Sequence, residues 1–507
     1  MRLFRGVALA CFVVSLLSGC ANTPATSVPV VHDANEGAVL VRLLPNTQSA
    51  SQFMKNWENL IVEQENGKDG GKNGEPGRQF ALKPDLTTTS RSAVYLGTLP
   101  PGRYHFVKFS SQSCGAMCIN ENITVNERFG RFNVRPQQLT DLGVIVQTPT
   151  TQDRKVVLAH VDADDKQLED ELVRDLAPAL APMLDRPRLG WREDGGSAPM
   201  PLLAGYAKAA SHGFVQPKEA APGFFIYGTA NGAVGGWNAA ANTTTQFDLG
   251  TNRSVEAVLV AKNGAWLAGG ELSLLVQSDD QGRTWRSIRG NLPLGLVTDI
   301  HEWHGDIFVT MLRGQEVRVF AMQDGSARWR MLGQYRMDVG FLDIQGVRPR
   351  SLLMDDQLVT LVPGRKLAVL DLATETGEQR DLPGAVQQLS ASEDKVLRCK
   401  CSGGIGVNPW ESRDLGKTWR PADLSRYIQQ PVFRDRLHGV AFESAVFSSA
   451  RLVHTIDGGK TWTPSADIGA PISSLFYRRD QAAVYAASPY GAVWESKNDG
   501  RSWRRLR

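Results

Sequence analysis

Ser278-Asp279-Asp280-Gln281-Gly282-Arg283-Thr284-Trp285 is a short stretch that the chain repeats three more times. The copies are Ser412-Arg413-Asp414-Leu415-Gly416-Lys417-Thr418-Trp419, Thr455-Ile456-Asp457-Gly458-Gly459-Lys460-Thr461-Trp462 and Ser496-Lys497-Asn498-Asp499-Gly500-Arg501-Ser502-Trp503. Each position has a local physical reason. The carboxylate of Asp280, Asp414 or Asp457 can accept backbone N–H groups inside a hairpin. Gly282, Gly416, Gly459 and Gly500 supply the positive φ that a tight turn requires. Trp285, Trp419, Trp462 and Trp503 are large apolar anchors to be set between sheets. In the last copy Asn498 keeps an acceptor oxygen without the charge.

The spacing sets the number of units. Copies start at 278, 412, 455 and 496, leaving gaps of 134, 43 and 41. The first gap holds three periods of about 45 residues, the length of a four-stranded propeller blade. Degenerate copies fall in the empty slots: Gln323-Asp324-Gly325-Ser326-Ala327-Arg328-Trp329, then Leu370-Asp371 to Gly377, and upstream Gly236-Trp237-Asn238 to Asp248. Runs such as Trp266-Leu267-Ala268-Gly269 and Ala483-Val484-Tyr485-Ala486 read as strands. The expectation is an all-β chain whose residues 216–507 form a seven-bladed β-propeller.

The repeat resembles the Asp-box, or BNR, pattern of sialidases and many unrelated propellers. The resemblance implies a hairpin between the third and fourth strands of a blade, away from the sugar-binding face, so it implies scaffolding. An Arg-Ile-Pro tripeptide, which would supply one arginine of the sialidase carboxylate-binding triad, is absent, and Arg348-Pro349-Arg350 is not it. The same repeats make the chain resemble sortilin-type and photosystem assembly-factor propellers, which implies a surface that holds proteins. No P-loop, nucleophile elbow, dinucleotide fingerprint or HExxH is present. His301 and His304 sit in His-Glu-Trp-His, but on a strand i and i+3 point to opposite faces, which argues against a shared metal. No catalytic residue, metal ligand or cofactor is assigned.

The amino terminus reads as an address. Arg2 and Arg5 precede an apolar run from Val7 to Leu17, 11 residues and too short to span a bilayer. Leu17-Ser18-Gly19-Cys20 follows, and it resembles the bacterial lipobox. That resemblance implies a signal peptide over 1–19, a lipidated Cys20 with a palmitoyl-type anchor, and a tether over 20–32. Ala21 in place of Asp favours the outer membrane, facing the periplasm or the cell surface. Cys114 and Cys118 in Cys-Gly-Ala-Met-Cys can close a disulfide, in a compartment that permits one. Cys399 and Cys401 flank Lys400 at a separation of about 6.5–7 Å on a strand, the edge of bridging range, so disulfide and buried thiols both stay open.

Between these ends, alternating runs such as Ala38–Leu44, Leu60–Glu63, Val94–Leu99 and Tyr104–Phe109 predict a β-sandwich over 33–160. The Leu-Pro-Pro-Gly-Arg-Tyr turn between two of them makes it resemble prealbumin-like or Ig-like lipoprotein domains. Residues 161–215 predict a helical connector, with Leu168, Leu172, Val173 and Leu176 at helical spacing and Pro178 and Pro182 ending or kinking it. Its acidic start lacks the Gly and Glu of an EF-hand loop.

Lys+Arg 56 against Asp+Glu 53 gives a net charge of +3, too little over 507 residues to imply a nucleic-acid partner. The functional expectation is a lipid-anchored periplasmic or surface lipoprotein whose propeller binds or scaffolds a protein or polysaccharide partner. The alternative is a glycan hydrolase of sialidase-like type, whose paired carboxylates a single sequence does not reveal.

Overall fold

The structure is a computed structural model, and it describes residues 26–27, 33–45, 57–65, 77–89, 91–114, 118–125, 129–149, 156–161, 165–192, 215–322, 326, 328–338, 348–391, 395–402, 407–422, 427–443, 451–470, 472, 474–478, 483–488 and 492–506. The signal segment 1–19 and Cys20 lie outside these residues, as does most of the tether over 20–32.

The amino-terminal domain holds two sheets. One has the order Thr26–Ser27, Gln79–Leu82, Asn59–Gln64, Gly102–Cys114, Cys118–Thr124, with Arg131–Val134 also pairing Gly102–Cys114. The other runs Val156–Val161, Leu139–Pro149, Gly37–Pro45, Ala93–Leu99, Pro84–Asp85. Strand alternation explains why the Gly37–Pro45 segment is apolar at almost every position. Val39, Val41 and Leu43 face a core shared with Leu60, Val62, Phe106 and Phe109 of the first sheet. Ala38 and Leu40 face the opposite way, toward the helix Lys166–Leu176. The side chain of Asp165 accepts from the Gln167 and Leu168 amides and starts that helix, and a 3₁₀ segment Pro178–Asp185 follows it.

The connector belongs physically to this domain. Arg188 donates to Asp141 at 2.7 Å, to Glu169 at 2.8 Å, and to Asp170. Burial and the neighbouring Asp141 push the Glu169 carboxyl up, and Arg188 pulls the other way. Trp191 packs against Phe106, Phe132 and His160. Cys114 and Cys118 face each other in register at the end of their hairpin; the disulfide expected there rests on side chains outside the description.

Among the described residues, seven four-stranded antiparallel sheets then follow one another, here sheets 1 to 7: 215–248, 255–287, 296–336, 350–381, 385–421, 428–464 and 474–505. Within each, the strands pair in sequence order, so every connection is a hairpin. The first strands of successive sheets adjoin, and Gln388 accepts from the Gln430 amide at 3.1 Å where sheet 5 meets sheet 6.

The series closes on itself. Phe225, Tyr227 and Trp237 of sheet 1 share a core with Phe476, Tyr485 and Val493 of sheet 7. Asn242 also donates to the Leu506 carbonyl. Consecutive radial sheets with first strands inward and last meeting first make a β-propeller.

Candidate functional site

The repeated hairpins lie between third and fourth strands, and their side chains hold themselves. In the first, Ser278 Oγ donates to Asp280 at 2.8 Å and accepts from the Gly282 amide at 2.7 Å. Asp280 also accepts from the Thr284 amide at 2.8 Å and hydroxyl at 2.7 Å. These bonds pull the Asp280 carboxyl down to about 2, the Thr284 hydroxyl contributing most. Asp414 and Asp457 have the same partners and the same low value, with Thr455 standing in for the serine. Asn498 reproduces the acceptor role toward Ser496 and Ser502. Two degenerate slots keep an acceptor at the same place: Asp371 takes the Thr374 amide, and Asn238 those of Ala240 and Ala241.

The glycines do a second job. A Cβ on Gly282 would lie 2.8 Å from Phe247 of sheet 1, one on Gly416 2.7 Å from Leu367 of sheet 4, and one on Gly500 2.6 Å from Val440 of sheet 6. Each of these hairpins is therefore seated on the preceding sheet. Trp285, Trp419 and Trp503 join cores that span two sheets. Trp462 differs: its cluster of Ile428, Ala441 and Val453 lies within sheet 6, and Arg398 of sheet 5 reaches Phe433 across that junction. The indoles are also half-buried, not enclosed.

The hairpins sit at one end of the ring; the amino-terminal domain is docked at the other. Glu271, fully buried between the second and third strands of sheet 2, accepts from the Ser92 amide at 2.8 Å, the Ser92 hydroxyl at 2.9 Å and the Arg91 amide. Glu256 pairs with Arg91 at 2.8 Å and Arg348 at 2.7 Å, and its charge keeps the Arg91 guanidinium firmly protonated. The loop holding Glu271 is strained: Leu272 and Ser273 both have positive φ, 52° and 54°. Such backbone is unfavourable by about 1 kcal/mol or more for each residue. Docking compensates: Leu272 donates to the Thr88 carbonyl at 3.1 Å and buries its side chain beside Leu172 and Leu180. Arg289–Glu171 and Arg313–Asp175 pairs flank the contact.

Charged groups on the innermost strands form a second cluster. Asp299 of sheet 3 accepts from the Ser351 amide of sheet 4 at 3.1 Å and lies 3.6 Å from Arg350. Burial pushes its carboxyl up to about 6, and Arg350 and Lys218 pull the other way. His301 meets the Ser351 carbonyl at 3.1 Å, and burial draws it down to about 4, so it is neutral at physiological pH. Its neighbour His304 lies in the next turn with φ of 53°. The two imidazoles are thus differently placed.

Cys399 and Cys401 are joined by a disulfide with Cα atoms 5.7 Å apart, closer than an ideal strand allows, and both are buried in the core between sheets 4 and 5. Between them Lys400 points the other way, and burial draws its ammonium down to about 8. The terminal arginines are an outer strand: Arg504 pairs with Glu495 at 2.8 Å and Arg505 lies over Trp494.

Sequence reading missed Glu271, Glu256, Asp299 and Arg91. For Glu271 a signal exists: it is a lone charge in the uncharged run 263–277, directly after Gly269-Gly270. For the others no local pattern distinguishes them from surface charges.

No protein-family profile matches the chain, and no curated protein matches it. Solved structures similar to it include YCF48 bound to D1 peptide, at 14% identity, 53% of this chain and 87% of that one, with a TM-score of 0.42. YCF48 from Cyanidioschyzon merolae matches at 14% identity over 54% and 92%, also with a TM-score of 0.42. BamB from Moraxella catarrhalis matches at 13% over 56% and 79%, with a TM-score of 0.35.

Proposed function

We propose that the protein is a membrane-tethered binding module: a seven-bladed β-propeller joined rigidly to a β-sandwich, carried by a lipid on Cys20 at the outer membrane, and holding a protein partner. The observation that carries this reading is the joint between Glu271 and Arg91–Ser92. It fixes the two domains as one preformed surface, so a partner docks with little ordering cost. The engagement of the inner carboxylates supports the same conclusion. Glu256 and Glu271 are taken up by arginines, hydroxyls and amides at the joint between the domains, and Asp299 accepts the Ser351 amide beside Arg350. Glu256 and Glu271 are thereby committed to holding the domains together, whereas a glycosidase needs two carboxyls flanking a substrate space.

The test places a photo-cross-linking residue at exposed Arg365, at the sandwich end, or at exposed Lys460, at the hairpin end, in the full membrane-bound chain. A defined protein adduct at one position and not at the other is expected. Release of reducing sugar from polysaccharide by the purified chain, abolished by Asp299→Asn, would replace the module with a hydrolase.

A further inference from the structure

At the hairpin end of the ring a cleft of about 470 Å³ opens between sheets 2 and 3. Its walls are two turns between first and second strands, 261–264 of sheet 2 and 303–306 of sheet 3. Its floor is aliphatic: Ala265, Leu267, Ile307 and Met322, all members of the core between the two sheets. The volume lies within the range of sites that take small ligands or short peptide segments.

The cleft sits at a junction that lacks the complete repeat. In sheets 2, 5 and 7 the hairpin glycine closes onto the sheet before it: Gly282 on Phe247, Gly416 on Leu367 and Gly500 on Val440. Sheet 3 lacks the full Ser/Thr-x-Asp-x-Gly sequence, and the cleft lies at the junction with the sheet before it.

The rim gives the occupant its charge. Lys262 lines the cleft and makes no ion pair among the described residues. Glu302 also lines the cleft, and its carboxylate accepts the Lys262 amide at 2.7 Å, fixing the turn that presents the ammonium. Arg286 adds a second cation, and its 3.5 Å pair with Asp279 is exposed on both sides. Exposed pairs of that kind are worth little, so a bound carboxylate can displace it. The floor offers no aromatic platform for a sugar ring, only surface suited to an aliphatic side chain.

We infer that this cleft docks an extended peptide segment of the partner in which an aliphatic residue sits beside an acidic one, the aliphatic side chain entering over Leu267 and Met322 and the carboxylate meeting Lys262 and Arg286. The inference rests on the binding-module reading and names the segment and the place.

The experiment is a random-heptapeptide phage selection on the full chain, run in parallel on Lys262→Glu, a substitution in a solvent-facing turn. Selected sequences on the native protein are expected to pair Asp or Glu with Leu, Ile, Val or Met. A synthetic peptide of the winning sequence is expected to bind at least tenfold more weakly to Lys262→Glu and more weakly as NaCl rises. Gln277→Arg, which adds a cation to the rim, is expected to tighten it. Winners without acidic residues, or equal binding by Lys262→Glu with an unchanged unfolding curve, would overturn the cleft assignment. If the cross-linked partner is still captured in that case, the module reading stands and only the site is wrong.

Discussion

Glu271 of the propeller holds Ser92 of the amino-terminal domain through both its backbone amide and its hydroxyl, across 179 residues of sequence. One side chain buried at the junction thereby satisfies donors from both domains, because it also lies 3.4 Å from the Ser254 amide. Losing a charged acceptor that serves several buried N–H groups is costly for each group left unpaired.

Glu271→Ala is therefore expected to destabilise the protein by about 3 kcal/mol and to uncouple its halves. Calorimetry of the native protein should give one unfolding transition; the variant should give two. A single transition at an unchanged temperature would show that the joint is not held by this carboxylate.

Asp299 should govern a pH dependence. Its folded pKa of about 6 lies above the ordinary 3.8, so the folded state binds the proton more tightly than the unfolded state. Stability contributed by the protonated form is present below about pH 4 and is lost as pH rises through 6. Asp299→Asn should accordingly stabilise the protein by about 3 kcal/mol at pH 7.5, with the gain vanishing near pH 4. Denaturant midpoints at both pH values measure it, and a gain independent of pH would refute the assignment.

Trp419→Ala should cost about 2–3 kcal/mol, less than the ~3–5 kcal/mol of a fully enclosed aromatic, because the indole is half-buried against the core shared by sheets 4 and 5. Equilibrium unfolding in urea checks this. A change within about 0.5 kcal/mol would mean that this tryptophan does not hold sheet 5 to sheet 4.

Cys20→Ser should abolish acylation and move the protein from the membrane to the soluble fraction, since about 0.8 kcal/mol per buried CH₂ is lost with the chains. Fractionation followed by immunoblotting reads the outcome. Retention in the membrane pellet would remove the lipid anchor from the proposal.

Much of this architecture was legible because its causes are local. The Asp280, Asp414 and Asp457 turns are closed by residues two and four positions away, so the pattern is visible in eight letters. The helix Lys166–Leu176 was legible for the same reason, since its buried stripe repeats at three to four residues. The strands Gln79–Leu82 and Arg131–Val134 were passed over because four residues are too few to display a period. The closing of the ring between Trp237 and Tyr485 leaves no local trace either.

What the amino-acid sequence determined by itself, then, is the repeating unit: a hairpin whose acceptor, glycine and indole are fixed by covalent proximity, spaced to give one sheet after another. Where charge is buried, and where a cleft stays between two sheets, is settled only when the sheets assemble. Glu271 became the joint, and Asp299 an acid of raised pKa, because segments separated by tens to hundreds of residues were brought around them and water was removed. Lys262 came to rim a cleft through the approach of two neighbouring sheets, a distance that no spacing along the chain encodes.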